Sequence, residues 1–95
     1  MIKVSVRQNR ITVTGHAKYA PLGQDIVCSG VSTLVQTLIA SIEKLTKDEI
    51  QYDLLLGIAD IKFENLSKES QTLVDSFLVG IQMIADTYPA HVRIV

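Results

Sequence analysis

Residues 26–45, IVCSGVSTLVQTLIASIEKL, carry apolar side chains at steps of three and four residues. The apolar positions are Val27, Val31, Leu34, Val35, Leu38, Ile42 and Leu45. This spacing places them on one face of an α-helix and leaves the opposite face polar. Asp25 stands before the run, and its carboxylate can accept the free backbone N–H groups of a helix N-terminus. The stretch therefore predicts an amphipathic helix that Asp25 caps and that must cover a second apolar layer.

The segment before this helix predicts a β-hairpin and then a loop. Residues 2–7 and 10–14 each alternate polar with apolar side chains, and two polar residues separate them. Residues 16–24 contain Pro21 and Gly23 and show no periodicity, which is typical of a loop. Loops that join a strand to a helix often carry functional residues.

The segment after the helix predicts a second hairpin. Residues 50–56 and 58–64 form two strand-like runs on either side of Gly57. Three consecutive leucines, at positions 54–56, interrupt the alternation. Because strands that are covered on both faces lack alternation, these leucines predict burial on both sides of the sheet.

A second helix and a final strand complete the predicted order of elements. Ser67 can cap a helix that ends ahead of Pro89, and residues 91–95 predict a short strand. The apolar stripe of this helix consists of Leu73, Val74, Phe77, Leu78, Ile81 and Ile84. Two one-sided helices need a sheet to cover, so the order ββαββαβ predicts an α+β fold. We expect a two-layer sandwich in which both helices pack on one mainly antiparallel sheet, as a single domain over residues 1–95.

Composition excludes several classes of function. The chain has 95 residues, of which 47% are hydrophobic, and a net charge of -1 with nine scattered Lys and Arg residues. Scattered basic residues do not predict direct binding of nucleic acid. A single cysteine cannot form an internal disulfide, and no Cys and His residues have the spacing of a zinc site, so we expect a cytoplasmic protein without a metal or cofactor. No secretion signal or membrane-spanning stretch is predicted.

Cys28 and His16 are the candidates for chemistry. With Asp25 as cap, Cys28 lies in the first helical turn, where the helix dipole favours a thiolate. Free N–H groups in that turn could also receive the oxyanion formed when a carbonyl is attacked. His16, on the preceding loop, can exchange protons with a thiol at neutral pH. However, lone cysteines are often core residues and a histidine after a strand is often a turn residue, so the residue types alone leave both interpretations open.

Two other polar residues have weaker predicted roles, and a third has none. Capping explains Asp25 without any catalytic task, although the carboxylate could instead orient His16. Ser32 lies four residues after Cys28 on the same helical face, where its hydroxyl could bond near the sulfur or bond its own helix backbone. His91, just before the last strand, receives no predicted role.

A compound motif surrounds these residues. Gly15-His16-Ala17, five further residues, and then residues 23–32, GQDIVCSGVS, resemble the signature of the ribosomal-processing cysteine protease family, called Prp. The resemblance covers the whole chain in length and element order, including Tyr88-Pro89 before a short strand. It implies a cytoplasmic, homodimeric endopeptidase that removes a short, apolar N-terminal extension, with aromatic residues near the cut, from large-subunit ribosomal protein L-twenty-seven.

The resemblance also implies roles for individual residues. The catalytic histidine of the family falls on His16 and its nucleophile on Cys28, while the aspartate and serine of the motif fall on Asp25 and Ser32. Many relatives have two alanines after the cysteine, whereas Ser29-Gly30 follows it here. An interior helical glycine costs about 1 kcal/mol relative to alanine, so the first turn could be looser, or Gly30 could admit a substrate backbone.

Two other functions remain as alternatives. In a non-catalytic assembly factor that binds a ribosomal protein, Cys28 would be a packing residue. A redox or acyl-transfer thiol enzyme would need a resolving cysteine or a glycine loop for a coenzyme, and the sequence has neither. For the protease, we expect the loop at residues 17–24 to become ordered over a bound peptide, and the groove to offer apolar walls and an open sheet edge.

Overall fold

The computed structural model describes residues 1–95 and confirms the predicted α+β fold and its order of elements. The elements are β1 (Ile2–Arg7), β2 (Arg10–Thr14), α1 (Ile26–Leu45), β3 (Ile50–Leu55), β4 (Ile58–Phe63), α2 (Lys68–Thr87) and β5 (Val92–Ile94). The third and fourth strands each end one residue earlier than predicted. Asp25 and Ser67 cap the two helices, as the sequence indicates.

The five strands form one mixed sheet in the order β3-β4-β2-β1-β5. All neighbouring pairs are antiparallel except β1 and β5, which run parallel. The register places Val4 opposite Val13, and Val13 opposite Ala59, so the buried side chains of adjacent strands share one face. Both helices cover this face, which leaves the opposite face of the sheet to solvent.

Helix α1 buries one face in the core. Its buried residues are Val27, Val31, Val35, Leu38, Ile39 and Ile42, which agree with most of the predicted stripe. By length and composition alone, α1 could also cross a membrane. Since the apolar face packs in a core of 19 buried residues, that packing accounts for the composition of the helix.

Two glycines bring α1 and α2 close together. A Cβ atom on Gly30 would lie 3.3 Å from Cδ1 of Ile84, and one on Gly80 would lie 2.9 Å from Cδ2 of Leu34. Each glycine therefore receives a side chain of the opposite helix. Gly30 faces α2, so the structure gives no support to the idea that it admits a substrate backbone.

The prediction that Leu54, Leu55 and Leu56 are buried on both sides is wrong. Their side chains are 44%, 70% and 77% exposed, respectively. Strand β3 lies at the edge of the sheet and pairs only with β4, and the helices cover one face of the sheet only. Burial on both faces would require a third layer, which this fold lacks. The three leucines instead lead into the β3–β4 turn, next to the N-terminus of α1.

Candidate active site

The N-terminus of α1 is held by the buried carboxylate of Asp25. One oxygen accepts the N–H groups of Val27 and Cys28, each at 3.0 Å. The other accepts the N–H groups of Tyr19 at 2.9 Å and Ala20 at 3.3 Å. Burial raises the pKa of Asp25, but the four backbone donors together lower it by more, so the pKa lies below its ordinary value. Asp25 therefore stays charged and ties the preceding loop to the helix.

These bonds leave little of the helix end free. The N–H groups of Val27 and Cys28 are occupied by Asp25, and the N–H of Ser29 donates to the Asp25 carbonyl at 3.0 Å. The expectation that N–H groups of the first turn receive an oxyanion is therefore wrong for these three donors. Both carboxylate oxygens of Asp25 face backbone donors, so the structure supports capping and not an orienting bond to His16.

Cys28 lies at the third helical position, as predicted, and its side chain is half-buried. The N–H of Ala17 donates a hydrogen bond to Sγ at 3.4 Å. A donor directed at sulfur stabilises negative charge there. The thiol therefore receives backbone support from the loop, a contact that the sequence did not predict.

His16 projects over the turn between β3 and β4. A Cβ atom on Gly57 would lie 2.7 Å from Nε2 of His16, so the imidazole occupies the space that any other residue at position 57 would fill. The backbone is fixed nearby, since the N–H of Gly15 donates to the Gly57 carbonyl at 2.9 Å and the amino group of Met1 donates to the His16 carbonyl at 2.6 Å. The sequence showed Gly57 as a turn residue but gave no signal of this contact.

Cys28 and His16 line the same cavity, which has a volume of about 350 Å³. Asp25 and Ser32 contribute to its lining as well. Its apolar walls include Leu22, Leu54, Leu55, Leu56 and Ile58. Ser32 is exposed and lines the cavity. The structure thus brings all four predicted site residues together beside an apolar surface.

The loop between His16 and α1 has an anchored half and a free half. Nδ1 of His91 bonds the Ala17 carbonyl at 2.7 Å, and the Tyr19 ring packs edge-on against the rings of Tyr88 and His91. By contrast, residues 21–24 have one internal bond, from the N–H of Gln24 to the Pro21 carbonyl. Sequence reasoning missed His91, because no local pattern links it to a loop more than seventy residues earlier.

The fold and the cavity define a small α+β thiol enzyme, with a cysteine in the first turn of a helix and a histidine beside the same cavity. Comparison with known proteins makes this more specific. The model of the family described as cysteine protease Prp matches residues 1–93, and the chain belongs to this family. The predicted class of enzyme, a cysteine protease, is thereby confirmed.

Relatives of similar length support this assignment. The ribosomal processing cysteine protease Prp of Mycoplasma genitalium is 29% identical over 99% of this chain and 94% of its own length. The protein of the same name from Staphylococcus aureus is 30% identical over 88% of this chain and 82% of its own length.

Solved structures share the fold. The essential ribosomal processing protease Prp from S. aureus, with a covalently linked product peptide, matches with a TM-score of 0.89 at 24% identity. The match covers 98% of this chain and 94% of that chain. SMU.848 from Streptococcus mutans matches with a TM-score of 0.75 at 29% identity, over 98% of this chain and 89% of that one.

Proposed function

We propose that this protease removes the short N-terminal extension of ribosomal protein L-twenty-seven, with Cys28 as nucleophile and His16 as general base and acid. The observation that carries the proposal is that Cys28 and His16 line one cavity in a chain of the Prp family. Relatives of the chain are named for ribosomal processing. The particular ribosomal protein is the one that the resemblance of the sequence motif to the Prp family implies.

The reaction proceeds through a thioester. The Cys28 thiolate attacks the carbonyl carbon of the scissile bond, and His16 gives a proton to the departing amine as the C–N bond breaks. His16 then takes a proton from water, which attacks the thioester and releases Cys28 as thiolate. In the S. aureus relative, a product peptide is covalently linked to the protein, and we assign the corresponding bond here to Sγ of Cys28.

The carbonyl oxygen of the substrate needs a hydrogen-bond donor as it becomes negative. Asp25 already occupies the N–H groups of Val27 and Cys28. The Ser32 hydroxyl lies in the cavity one helical turn after Cys28, and we assign it this task. Removing one oxyanion donor costs roughly 100- to 1,000-fold in kcat. Ser32→Ala should show a loss of this order, and Ser32→Thr should keep most of the activity.

The apolar extension of the substrate binds along the leucines of the β3–β4 turn. Leu55 and Leu56 are largely exposed in the free protein, and Leu22 faces them from the loop. Apolar side chains of a peptide would bury this surface, which is a favourable change. Specificity for an apolar extension follows from the absence of charged side chains on this wall.

Loop closure over the peptide should involve only the free half of the loop. Leu22 is 78% exposed, and a Cβ atom on Gly23 would meet nothing within 4 Å, so residues 21–24 can move. Hydrogen exchange of Cys28→Ala with and without a substrate peptide tests this. We expect new protection at residues 22–24, since Pro21 has no amide hydrogen, and unchanged protection at residues 17–20. Equal exchange at residues 22–24 in both states would contradict it.

The central experiment is to mix the protein with precursor L-twenty-seven and to follow intact masses over time. The Cys28→Ala variant and a precursor without its extension serve as controls. We expect loss of the extension with the unaltered protein only. Cleavage by Cys28→Ala would refute the nucleophile, and an intact but bound precursor would favour the assembly-factor function.

We further propose that the protease acts in the cytoplasm as a homodimer, without membrane or direct nucleic-acid partners, as the sequence resemblance and composition imply. A small domain buries a limited share of its surface, and a dimer interface adds to that share. Light scattering after gel filtration measures the mass in solution, and a mass of one chain at working concentration would contradict the dimer. Cell fractionation tests the location.

A further inference from the structure

His91 lies at the start of β5 with its backbone fixed on both sides. Its N–H donates to the Tyr88 carbonyl at 2.9 Å, and its carbonyl accepts the N–H of Ile2 at 2.8 Å. The residue is therefore tied to the end of α2 and to β1. A ring carried on such a backbone has little freedom, because only its two side-chain torsions remain to be fixed.

The ring of His91 is also fixed. Nδ1 lies 2.7 Å from the Ala17 carbonyl oxygen, and a carbonyl oxygen only accepts hydrogen bonds. Nδ1 therefore carries the hydrogen, which is possible in one neutral tautomer and in the imidazolium form. Tyr19 packs edge-on against the ring, with centroids 5.4 Å apart, and prevents it from turning away.

Ala17 is held between this ring and the thiol. Its carbonyl accepts from His91, while its N–H donates to Sγ of Cys28 at 3.4 Å. The residue is 1% exposed. Lys18 follows with φ of 55°, a backbone conformation that non-glycine residues seldom adopt without support. His91 on one side and Asp25 on the other hold this turn in place.

We propose that His91 is a positioning residue for the nucleophile. By fixing the Ala17 carbonyl, its Nδ1–H keeps the adjacent Ala17 N–H directed at Sγ of Cys28 and so stabilises the thiolate. His16 precedes Ala17 in the chain, so the same contact also limits movement of the base. The part that concerns catalysis rests on the proposed function, whereas the effect on the thiol does not.

The reactivity of Cys28 toward iodoacetamide tests this without any substrate. Cys28 is the only cysteine, so alkylation reports on one atom. Near the thiol, Asp25 accepts the Cys28 N–H, His16 lines the same cavity and the Met1 amino group bonds the His16 carbonyl. Tyr19 packs against the His91 ring, and all of these groups are retained. Rates would be measured from pH 5 to 9 for the unaltered protein, His91→Asn and His91→Gln.

Comparing His91→Asn with His91→Gln distinguishes the hydrogen bond made by Nδ1 from simple packing of the ring. The Asn amide can occupy the place of Nδ1, whereas the Gln amide reaches the place of Nε2. His91→Gln should slow alkylation at pH 7 roughly tenfold and move the midpoint to higher pH, the effect of losing one hydrogen bond near a charged atom. His91→Asn should keep the rate within about threefold of the unaltered protein.

The controls keep the outcomes distinct. Ser70→Ala, at the N-terminus of α2, provides a variant of reduced stability far from Cys28, and its alkylation rate should not change. Equal rates for His91→Gln and the unaltered protein, or for the two amides, would overturn the proposal. If the unaltered protein failed to cleave precursor L-twenty-seven while the alkylation rates differed as expected, the proposed function would fail and the positioning role would stand.

Discussion

The N-termini of α1 and α2 use the same capping arrangement but have different surroundings. At α1, Asp25 accepts the N–H of Cys28, and at α2 the Ser67 hydroxyl accepts the N–H of Ser70 at 3.2 Å. Cys28 and Ser70 are each the third residue of their helix. The Cys28 side chain is half-buried beside a cavity, whereas Ser70 is fully buried.

The difference lies in what covers each helix end. The segment that leads into β3 closes the end of α2, where Ser70 donates to the Thr46 hydroxyl at 3.2 Å and Asp48 accepts from Ser67. At α1 the loop at residues 17–20 bonds Asp25 and Sγ of Cys28, but Cys28 still lines a cavity, and His16, which follows the first hairpin, lines the same cavity. The two capped ends therefore differ in access: the third residue of α2 is buried and bonded, whereas the third residue of α1 lines a cavity that it shares with a histidine.

The largest expected effect is on the cleavage rate, and it distinguishes Cys28 from Ser70, the third residues of the two helices. Cys28→Ala should lower the cleavage rate by at least roughly 1,000-fold, because the nucleophile is lost, while the melting temperature changes little. Ser70→Ala should cost about 1 kcal/mol, or about 4 to 8 °C in melting temperature, and leave kcat unchanged at 25 °C. Cleavage assays and thermal unfolding of both variants measure this. A loss of kcat in folded Ser70→Ala would break the comparison.

The next largest effect is on the reaction rate when the proposed base, His16, is displaced. Gly57→Ala would place Cβ against the His16 ring, and a displaced catalytic group costs roughly 100-fold in rate. Gly23→Ala is the matched control, because both glycines have positive φ but Cβ at position 23 meets nothing. We expect Gly23→Ala to lose less than about tenfold in kcat/KM. Similar losses in both variants would mean that backbone strain, and not the clash with His16, is responsible.

The caps of α1 and α2 should contribute unequally to the melting temperature. Ser67→Ala removes one bond to the helix and should lower the melting temperature by about 4 to 8 °C, the usual effect of losing a cap. Asp25→Ala removes four backbone bonds and should lower it further, with loss of cleavage because the loop is released. Calorimetry of both variants gives the order. A smaller shift for Asp25→Ala would show that the loop contributes nothing to stability.

The smallest expected effect is a loss of folding stability at acidic pH. Four backbone N–H donors hold the pKa of Asp25 down against burial, and the Ser67 hydroxyl lowers that of Asp48. A lowered folded pKa gives stability that is fully present above the unfolded value of about 3.9 and is lost as pH falls through the folded pKa. Urea midpoints should therefore be steady above about pH 5 and fall below pH 4.

Asparagine variants test which carboxylates cause the acid loss. Asp25→Asn and Asp48→Asn should each flatten the decline, because neither amide titrates. Asp60, whose pKa is lowered by its hydrogen bond with Arg10, forms a surface ion pair. Asp60→Asn should change the decline less, since exposed pairs contribute little to stability. An unaltered decline in both helix variants would place the effect elsewhere.

Local patterns predicted the elements well. The bounds of β1, β2 and α1 agree with the sequence because alternation, a turn and a capped stripe occur together there. The predicted burial of the leucines at positions 54–56 was wrong, because hydrophobicity does not distinguish a core residue from the wall of an open cavity. Both kinds of position favour the same side chains.

The site was predicted in part. A histidine, a cysteine and a capping aspartate were identified, and the structure places them beside one cavity. That Asp25 occupies the first N–H groups of α1 could not be foreseen, since a cap has no fixed number of partners. The contacts of Gly57 with His16 and of His91 with Ala17 join distant segments, and no local pattern records such pairs.

The first and last strands along the chain, β1 and β5, are neighbours in the sheet, with Ile2 opposite Val92. During synthesis β1, β2 and α1 leave the ribosome well before β5, so one edge of β1 stays unpaired until β5 emerges. His91 arrives just ahead of β5, and until then the Ala17 carbonyl has no ring to bond. Pairings between distant segments also close slowly. A nascent chain therefore carries Cys28 without the surroundings that direct Ala17 toward it until residues 91–94 have emerged, so the environment of the thiol forms only after β5 has paired.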